Sequence, residues 1–173
     1  MENSIRKNMN ISIISDIIFN PYFIPSIKEH FDEMVKIYPI PYGEQSEDEH
    51  RKQLEKSEII VIWLNLESSY LRACDALYSQ FSYDQQIIDQ VVASCKQFYT
   101  DISSCSNAPI LWFLFEDYFN KLPVVTGYLY NALVDSINAE LSGVLKNDVS
   151  FIDLKHLIAE VGIPNAYDAK SKY

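Results

Sequence analysis

The sequence predicts a three-layer α/β/α sandwich built on a five-stranded parallel sheet with the flavodoxin-like strand order 2-1-3-4-5. Five short apolar runs alternate with longer amphipathic segments, a pattern that is typical of βαβ units. The strongest run, EIIVIWL at 58–64, is apolar on both faces, as expected for a central strand between two layers of helices. Right-handed crossovers between successive units then give the strand order.

The elements follow one another in a simple order along the chain. The predicted strands lie at 10–15, 35–40, 58–64, 109–115 and 149–152. Apolar residues recur at helical spacing between them and predict helices at about 44–56, 69–82, 84–104 and 125–145. A helix that starts after the first strand and one that ends at Gly162 and Pro164 complete the layers. We predict a flexible N-terminus at 1–9 and a single domain at 10–173.

Charge, length and cysteine usage limit the classes of function. The 173 residues carry a formal net charge of −10, which would repel phosphate backbones and anionic membranes. We therefore expect neither nucleic acid nor membrane as a partner. No apolar run reaches the roughly 18 residues of a membrane helix, residues 1–8 do not form a secretory signal, and three cysteines match no metal motif. The expectation is a cytoplasmic protein without metal or cofactor, whose aromatic content leaves room for a homodimer interface.

Polar residues just after the predicted strands define a candidate site. In an open doubly wound sheet, ligands bind beyond the carboxyl ends of the strands, at the switch point between strands one and three. The ligand-binding candidates are Asp16, Asn20, Tyr42, Gln45, Asn65, Glu67 and Glu116. The catalytic candidates are Ser15, Asp16 and Glu67. The alternative for Asp16 and for Ser68 is that each caps a helix.

Recognised catalytic motifs are missing. The sequence contains no Walker loop, GxGxxG, GxSxG or HExxH. His30 and His50 lie within predicted helices, where a surface position is expected. Asp153 and His156 form a DxxH pattern, but it follows the fifth strand directly instead of lying on a later loop. We therefore do not expect this pair to act in a triad.

The order of several segments resembles the amino-terminal domain of FkbH-like proteins. These segments are ISIISDIIFNPYFIPSIKEHF, VKIYPIPYGEQ, IIVIWLNLES, PILWFLFE and INAELSGVLKNDVSFIDLKHLIAEVGIPNAYDAKSKY. The resemblance covers 10–173 and implies an SGNH-hydrolase-like fold placed ahead of a haloacid-dehalogenase-like phosphotransfer domain. In that family, the second domain is linked to loading glyceryl units onto acyl carrier proteins in polyketide pathways. No DxDxT motif occurs in this chain, so it does not carry that chemistry.

The resemblance also implies that the hydrolase residues are lost. The GDS nucleophile block falls on Ser15, Asp16 and Ile17, so isoleucine stands at the position of the serine. The GxND block falls near 65–68, where Glu67 replaces asparagine, and the DxxH block falls near 168–171, which has no histidine. A triad needs a nucleophile, a base and an orienting acid, and a glutamate in the oxyanion pocket would repel the developing negative charge.

These observations predict a binding or docking module in an FkbH-like loading system. Its partner would be an acyl carrier protein or the haloacid-dehalogenase-like phosphotransfer domain. One alternative is an acyl esterase or acyltransferase with altered residues, in which Ser15 is recruited and Asp16 or Glu67 is the base. The other alternative is a structural or dimerising module.

Overall fold

The computed structural model of the chain describes residues 9–16, 25, 35–66, 69–70, 85–116, 124–145 and 147–156. Its strands are β1 (Met9–Ser15), β2 (Val35–Pro41), β3 (Ile59–Trp63), β4 (Ile110–Phe113) and β5 (Ser150–Ile152). Its longer helices are α1 (Asp48–Glu55), α2 (Gln85–Cys105) and α3 (Val124–Leu145). Most of each helix predicted after the first strand, after the fifth strand and at 69–82 lies outside the described residues, as do residues 1–8.

All five strands are parallel, and they form one sheet in the order β2-β1-β3-β4-β5, with helices on both sides. This confirms the predicted fold class and strand order. In the register of the sheet, Ser15 pairs with Pro41 on one side and with Trp63 on the other. The carboxyl ends of the three strands are therefore level. Residues that come next, such as Asp16 and Tyr42, lie at the same end of the sheet.

The core lies between the sheet and the three longer helices. Ile60 and Ile62 of β3 are fully buried, whereas the intervening Val61 is partly exposed, because successive strand residues point to opposite faces. The buried residues of α2 recur every three or four positions, so one face of this helix packs on the sheet; they are Ile88, Val91, Val92, Cys95, Phe98 and Ile102. In the described part of the chain, no helix is long and apolar enough to cross a membrane.

The predicted apolar stripe on α3 faces this core. Leu133, Ile137 and Leu141 are buried in the same cluster as the strand residues, and full burial of such a side chain contributes roughly 1.5–3 kcal/mol. Trp112 of β4 is also fully buried and lies against Phe98 of α2 at a ring-centroid distance of 5.9 Å.

Candidate functional site

Asp16 ties the end of β1 to the segment that follows β3. The backbone N–H of Asn65 donates to both carboxylate oxygens of Asp16, at 3.0 and 3.1 Å, and the Ser69 hydroxyl donates to Oδ2 at 2.7 Å. The Ser69 backbone N–H donates in turn to the Asn65 carbonyl at 3.1 Å, which closes one helical turn. Asp16 therefore caps a helical turn that follows β3. The helix after β1, which the sequence pattern suggested as the one that Asp16 caps, lies mostly outside the described residues.

The catalytic candidate Ser15 lies inside the sheet, at the last paired position of β1. It is the last residue of β1, it is only 3% exposed, and the strand pairs on both sides at this point. Its carbonyl accepts the Tyr42 backbone N–H at 2.8 Å, which fixes the main chain. An attacking hydroxyl must reach a substrate carbonyl at near van der Waals distance. Burial of Ser15 denies that approach in this structure.

Tyr42 packs into a cluster of rings beneath this end of the sheet. The aromatic cluster consists of Tyr42, Tyr70, Phe98 and Phe115. The Tyr42 ring lies 5.9 Å from Tyr70 and 5.2 Å from Phe98, and Tyr70 lies 5.6 Å from Phe115, all as centroid distances with steeply inclined planes. Such edge-to-face contacts are favourable beyond the area they bury. The predicted ligand-binding residue Tyr42 therefore has a clear packing role.

The hydroxyls of two tyrosines in this cluster lie near the Cys95 thiol, and burial raises the pKa of all three groups. Burial raises the pKa of Cys95 to about 12, against a smaller opposing effect of Tyr70. Burial likewise raises the pKa of Tyr70 and of Tyr42, and the proximity of Cys95 adds to both. Tyr42 and Cys95 interact electrostatically with the buried Tyr70 hydroxyl, although neither meets it with hydrogen-bond geometry. A thiol that stays protonated and buried is not a nucleophile at neutral pH.

Asn138 fixes the end of β4. Its Oδ1 accepts the Phe115 backbone N–H at 2.9 Å, and its Nδ2 donates to the Phe115 carbonyl at 2.8 Å. Both backbone groups of Phe115 are thereby satisfied by one side chain of α3. The next residue is the candidate Glu116, and one of its carboxylate oxygens is buried. The pair of bonds therefore positions the segment that carries Glu116.

Gln45 and the DxxH pair make local contacts instead of facing a common site. Gln45 Oε1 accepts the Gly43 backbone N–H at 2.7 Å, within the turn after β2. Asp153 Oδ1 accepts the backbone N–H groups of Lys155 at 2.9 Å and His156 at 3.3 Å, as a helix cap does. Asn20, Glu67, Ser68 and Asp117 lie outside the described residues, as do Ile17 and 168–171.

The structure thus brings part of the predicted site together. Asp16, Tyr42 and Asn65 share the carboxyl end of β1, β2 and β3, and Asn65 takes part through its backbone. Sequence reasoning missed Ser69 and Asn138. Asn138 could have been found from the sequence. It directly follows a buried position of an apolar helix face, and a polar side chain in such a place needs a hydrogen-bond partner.

No protein-family model and no curated protein matches the chain. Among solved structures, the N-terminal part of the protein BF1531 from Bacteroides fragilis, which contains a phosphatase domain complexed with Mg, matches 95% of this chain with a TM-score of 0.60 and 9% identity. The chain spans 45% of that protein. The lipase Lip_vut3 from goat rumen metagenome matches 84% of this chain and 80% of its own length, with a TM-score of 0.59 and 13% identity. At these identities, the similarity shows a shared α/β fold.

Proposed function

We propose that this chain is a binding domain that docks a phosphatase-type catalytic domain at the carboxyl end of its sheet and does not itself hydrolyse esters. The observation that carries the proposal is the state of the nucleophile segment. Ser15 is buried in a paired strand, and Asp16 is engaged by Asn65 and Ser69. Ile17 has no oxygen with which to attack. General-base catalysis needs a base within hydrogen-bond reach of its nucleophile.

The same contacts tie together the part of the carboxyl end of the sheet that the structure describes. Asp16 joins the ends of β1 and β3, and Asn138 holds the end of β4. A surface that is ordered before binding loses less conformational entropy on association. This end of the sheet is also where doubly wound folds place their ligands. It is the surface on which we place the partner.

The choice of partner rests on two facts. A solved structure that contains a phosphatase domain matches 95% of the present chain, and the chain spans 45% of that structure. The net charge of −10 would oppose docking of an acidic acyl carrier protein. A haloacid-dehalogenase-like phosphotransfer domain of the FkbH-like type is therefore the first partner. An acyl carrier protein is the second candidate partner, and its binding is tested in the same way.

Calorimetric titration tests the proposal. We expect the phosphotransfer domain to bind in the micromolar range, more weakly as salt concentration rises. Asp153 and Asp148 form a matched pair, because both are exposed and they flank opposite ends of β5. We expect Asp153→Lys, at the carboxyl end, to weaken binding and Asp148→Lys to leave it unchanged. Absence of heat with either protein at several hundred micromolar would contradict the proposal, as would equal effects of the two variants.

Enzymatic activity is the second candidate, favoured by the lipase Lip_vut3, which matches 84% of the chain. In this version, Ser15 attacks an acyl ester with Asp16 or Glu67 as the base. Short p-nitrophenyl esters distinguish the two proposals. A binding domain gives the same background rate before and after Ser15→Ala, whereas turnover that this substitution abolishes would make the chain an esterase or acyltransferase.

Sedimentation distinguishes the remaining alternative, a structural or dimerising module, from the binding domain and from the enzyme. A binding domain is expected to sediment as a monomer without its partner. A concentration-dependent dimer that gives no heat with either protein would favour the dimerising module.

A further inference from the structure

Two carboxylates and an imidazole converge in the turn between β2 and α1. One potential ligand atom from each of Glu44, Glu47 and His50 lies within 4.8 Å of the other two. We infer that this turn binds a divalent transition-metal ion of the Zn²⁺ type. The site is separate from Asp16 and its partners, and the inference does not depend on the proposed docking function.

The turn has a defined backbone that positions the first two ligands. Gly43 adopts the left-handed region with φ of +98°, which a glycine tolerates without strain. The Glu44 backbone N–H donates to the Pro41 carbonyl at 3.1 Å, and the Glu47 N–H donates to the Glu44 carbonyl at 3.0 Å. These bonds fold the chain back on itself directly after β2. Glu44 is thereby placed beside the start of α1.

Glu47 occupies the N-cap position of α1 but does not act as a cap. Its side chain makes no capping hydrogen bond to the helix. Residues three apart on a helix lie on one face, so His50 stands next to Glu47. A Glu-x-x-His pair at this spacing is a known way for a helix to present two metal ligands. The carboxylate of Glu47 is therefore directed to the cluster instead of to its own helix.

The His50 ring is held in a fixed orientation. Its Nδ1 lies 2.9 Å from the Glu44 carbonyl oxygen. When Nδ1 carries the proton and donates it to this carbonyl, Nε2 is left with a lone pair for a metal. Metal-binding histidines usually donate their second ring N–H to a carbonyl or carboxylate in this way. The bond thus selects the tautomer that a metal requires.

The ligand types select the class of ion. Two carboxylates with one imidazole suit Zn²⁺ and related first-row ions, whereas Mg²⁺ and Ca²⁺ prefer oxygen ligands alone. Three protein ligands leave a position for water, and the exposure of Glu44 and Glu47 leaves the site accessible. The net charge of −10 favours any cation near the surface. From the sequence we expected no metal, since the three cysteines match no metal motif. Glu44, Glu47 and His50 were not considered as ligands, because only the turn brings them together.

Zn²⁺ titration of the full chain without an affinity tag tests the inference. We expect one Zn²⁺ per chain with an affinity in the micromolar range that millimolar Mg²⁺ does not abolish. His50→Ala should weaken binding at least about tenfold. His156→Ala is the control, since His156 likewise lies near a helix start, although it is exposed whereas His50 is half-buried, and it should change nothing. Circular dichroism verifies that both variants stay folded.

Three results would overturn the inference. The first is the absence of Zn²⁺ binding at millimolar concentration, which would leave Glu47, Asp48 and Glu49 as acids that merely favour the start of a helix. The second is binding that survives His50→Ala, as expected if cysteine thiols hold the ion. The third is equal weakening by His50→Ala and His156→Ala. Co²⁺ gives an independent readout, because its visible absorption should appear in the parent protein and disappear in His50→Ala.

Discussion

Replacing Asp16 by alanine tests the contact on which the interpretation of the site depends. The substitution removes the acceptor of the Asn65 backbone N–H and of the Ser69 hydroxyl. A hydrogen bond to a charged group contributes roughly 1.5–3 kcal/mol. Two donors lose their acceptor, but both lie in a part-buried region that water can partly enter. We therefore expect Asp16→Ala to lower the free energy of unfolding by about 2–4 kcal/mol.

Urea unfolding followed by circular dichroism measures this loss. For a domain of this size, the expected loss of unfolding free energy corresponds to a fall in Tm of roughly 5–15 °C. The slope of the unfolding free energy against urea concentration should stay unchanged. Asp16→Asn keeps one acceptor for the Asn65 N–H and should lose about half as much. Asp153→Ala is the matched control, because Asp153 also accepts backbone N–H groups but is exposed. Its cost should be that of an ordinary helix cap, about 1 kcal/mol.

Two results would refute the reasoning about Asp16. One is a loss below about 0.5 kcal/mol, which is the usual scatter of surface substitutions. The other is a loss in Asp16→Ala no larger than that in Asp153→Ala. Either would mean that the carboxylate is not needed by the fold. It would then be available for catalysis, and the enzymatic alternative would gain support.

Further variants test the other parts of the structure. Asn138→Ala should cost about 1.5–3 kcal/mol of unfolding free energy because Phe115 loses both partners; a cost equal to that of Asn147→Ala, on the exposed surface, would contradict this. The raised pKa of Cys95, about 12 in the fold against 9.0 as its ordinary value, means that the unfolded chain gives up this proton first. Stability is therefore full below about pH 9 and falls as pH rises toward 12, by about 1.4 kcal/mol per pH unit for this group. The free energy of unfolding, measured with urea, should fall less steeply with rising pH in Cys95→Ala. An identical fall would disprove the assignment of this pH dependence to Cys95. Gly43→Ala should cost roughly 1–2 kcal/mol from backbone strain alone, since no neighbour crowds its Cβ position; unchanged stability would show that the turn differs in solution.

The fold was predictable because its signal is carried by local patterns. The run EIIVIWL contains β3 (Ile59–Trp63), and the periodic apolar residues of α2 extend over 85–105, close to the predicted 84–104. The start of α1 was wrong. It was expected near residue 44 and lies at Asp48, because the turn at Gly43 occupies the intervening residues. That segment is polar throughout, so no apolar period marks where the helix begins.

The site was predictable only as a location. The parallel register brings the residues after β1, β2 and β3 to one end of the sheet, which any reading of βαβ order implies. The atoms that interact there were not predictable. Asn65 contributes its backbone instead of its amide, and Asn138 reaches Phe115 from 23 residues away. Such contacts depend on how closely a helix packs against a strand, and residue type alone does not specify the distance between the two elements.

The contacts of Asp16 separate two roles that a hydrolase site combines. One role is to hold the carboxyl end of the sheet in shape, and here Asp16 and Asn138 fulfil it through bonds to Asn65, Ser69 and Phe115. The other role is to attack a substrate, which needs an accessible oxygen and a base. Different residues carry the two roles. Under the proposed function, the resemblance that puts Ile17 at the position of the nucleophile means that the attacking group is missing while the contacts of the scaffold remain. The α/β fold would then persist as a binding surface, and binding is a function that needs no nucleophile.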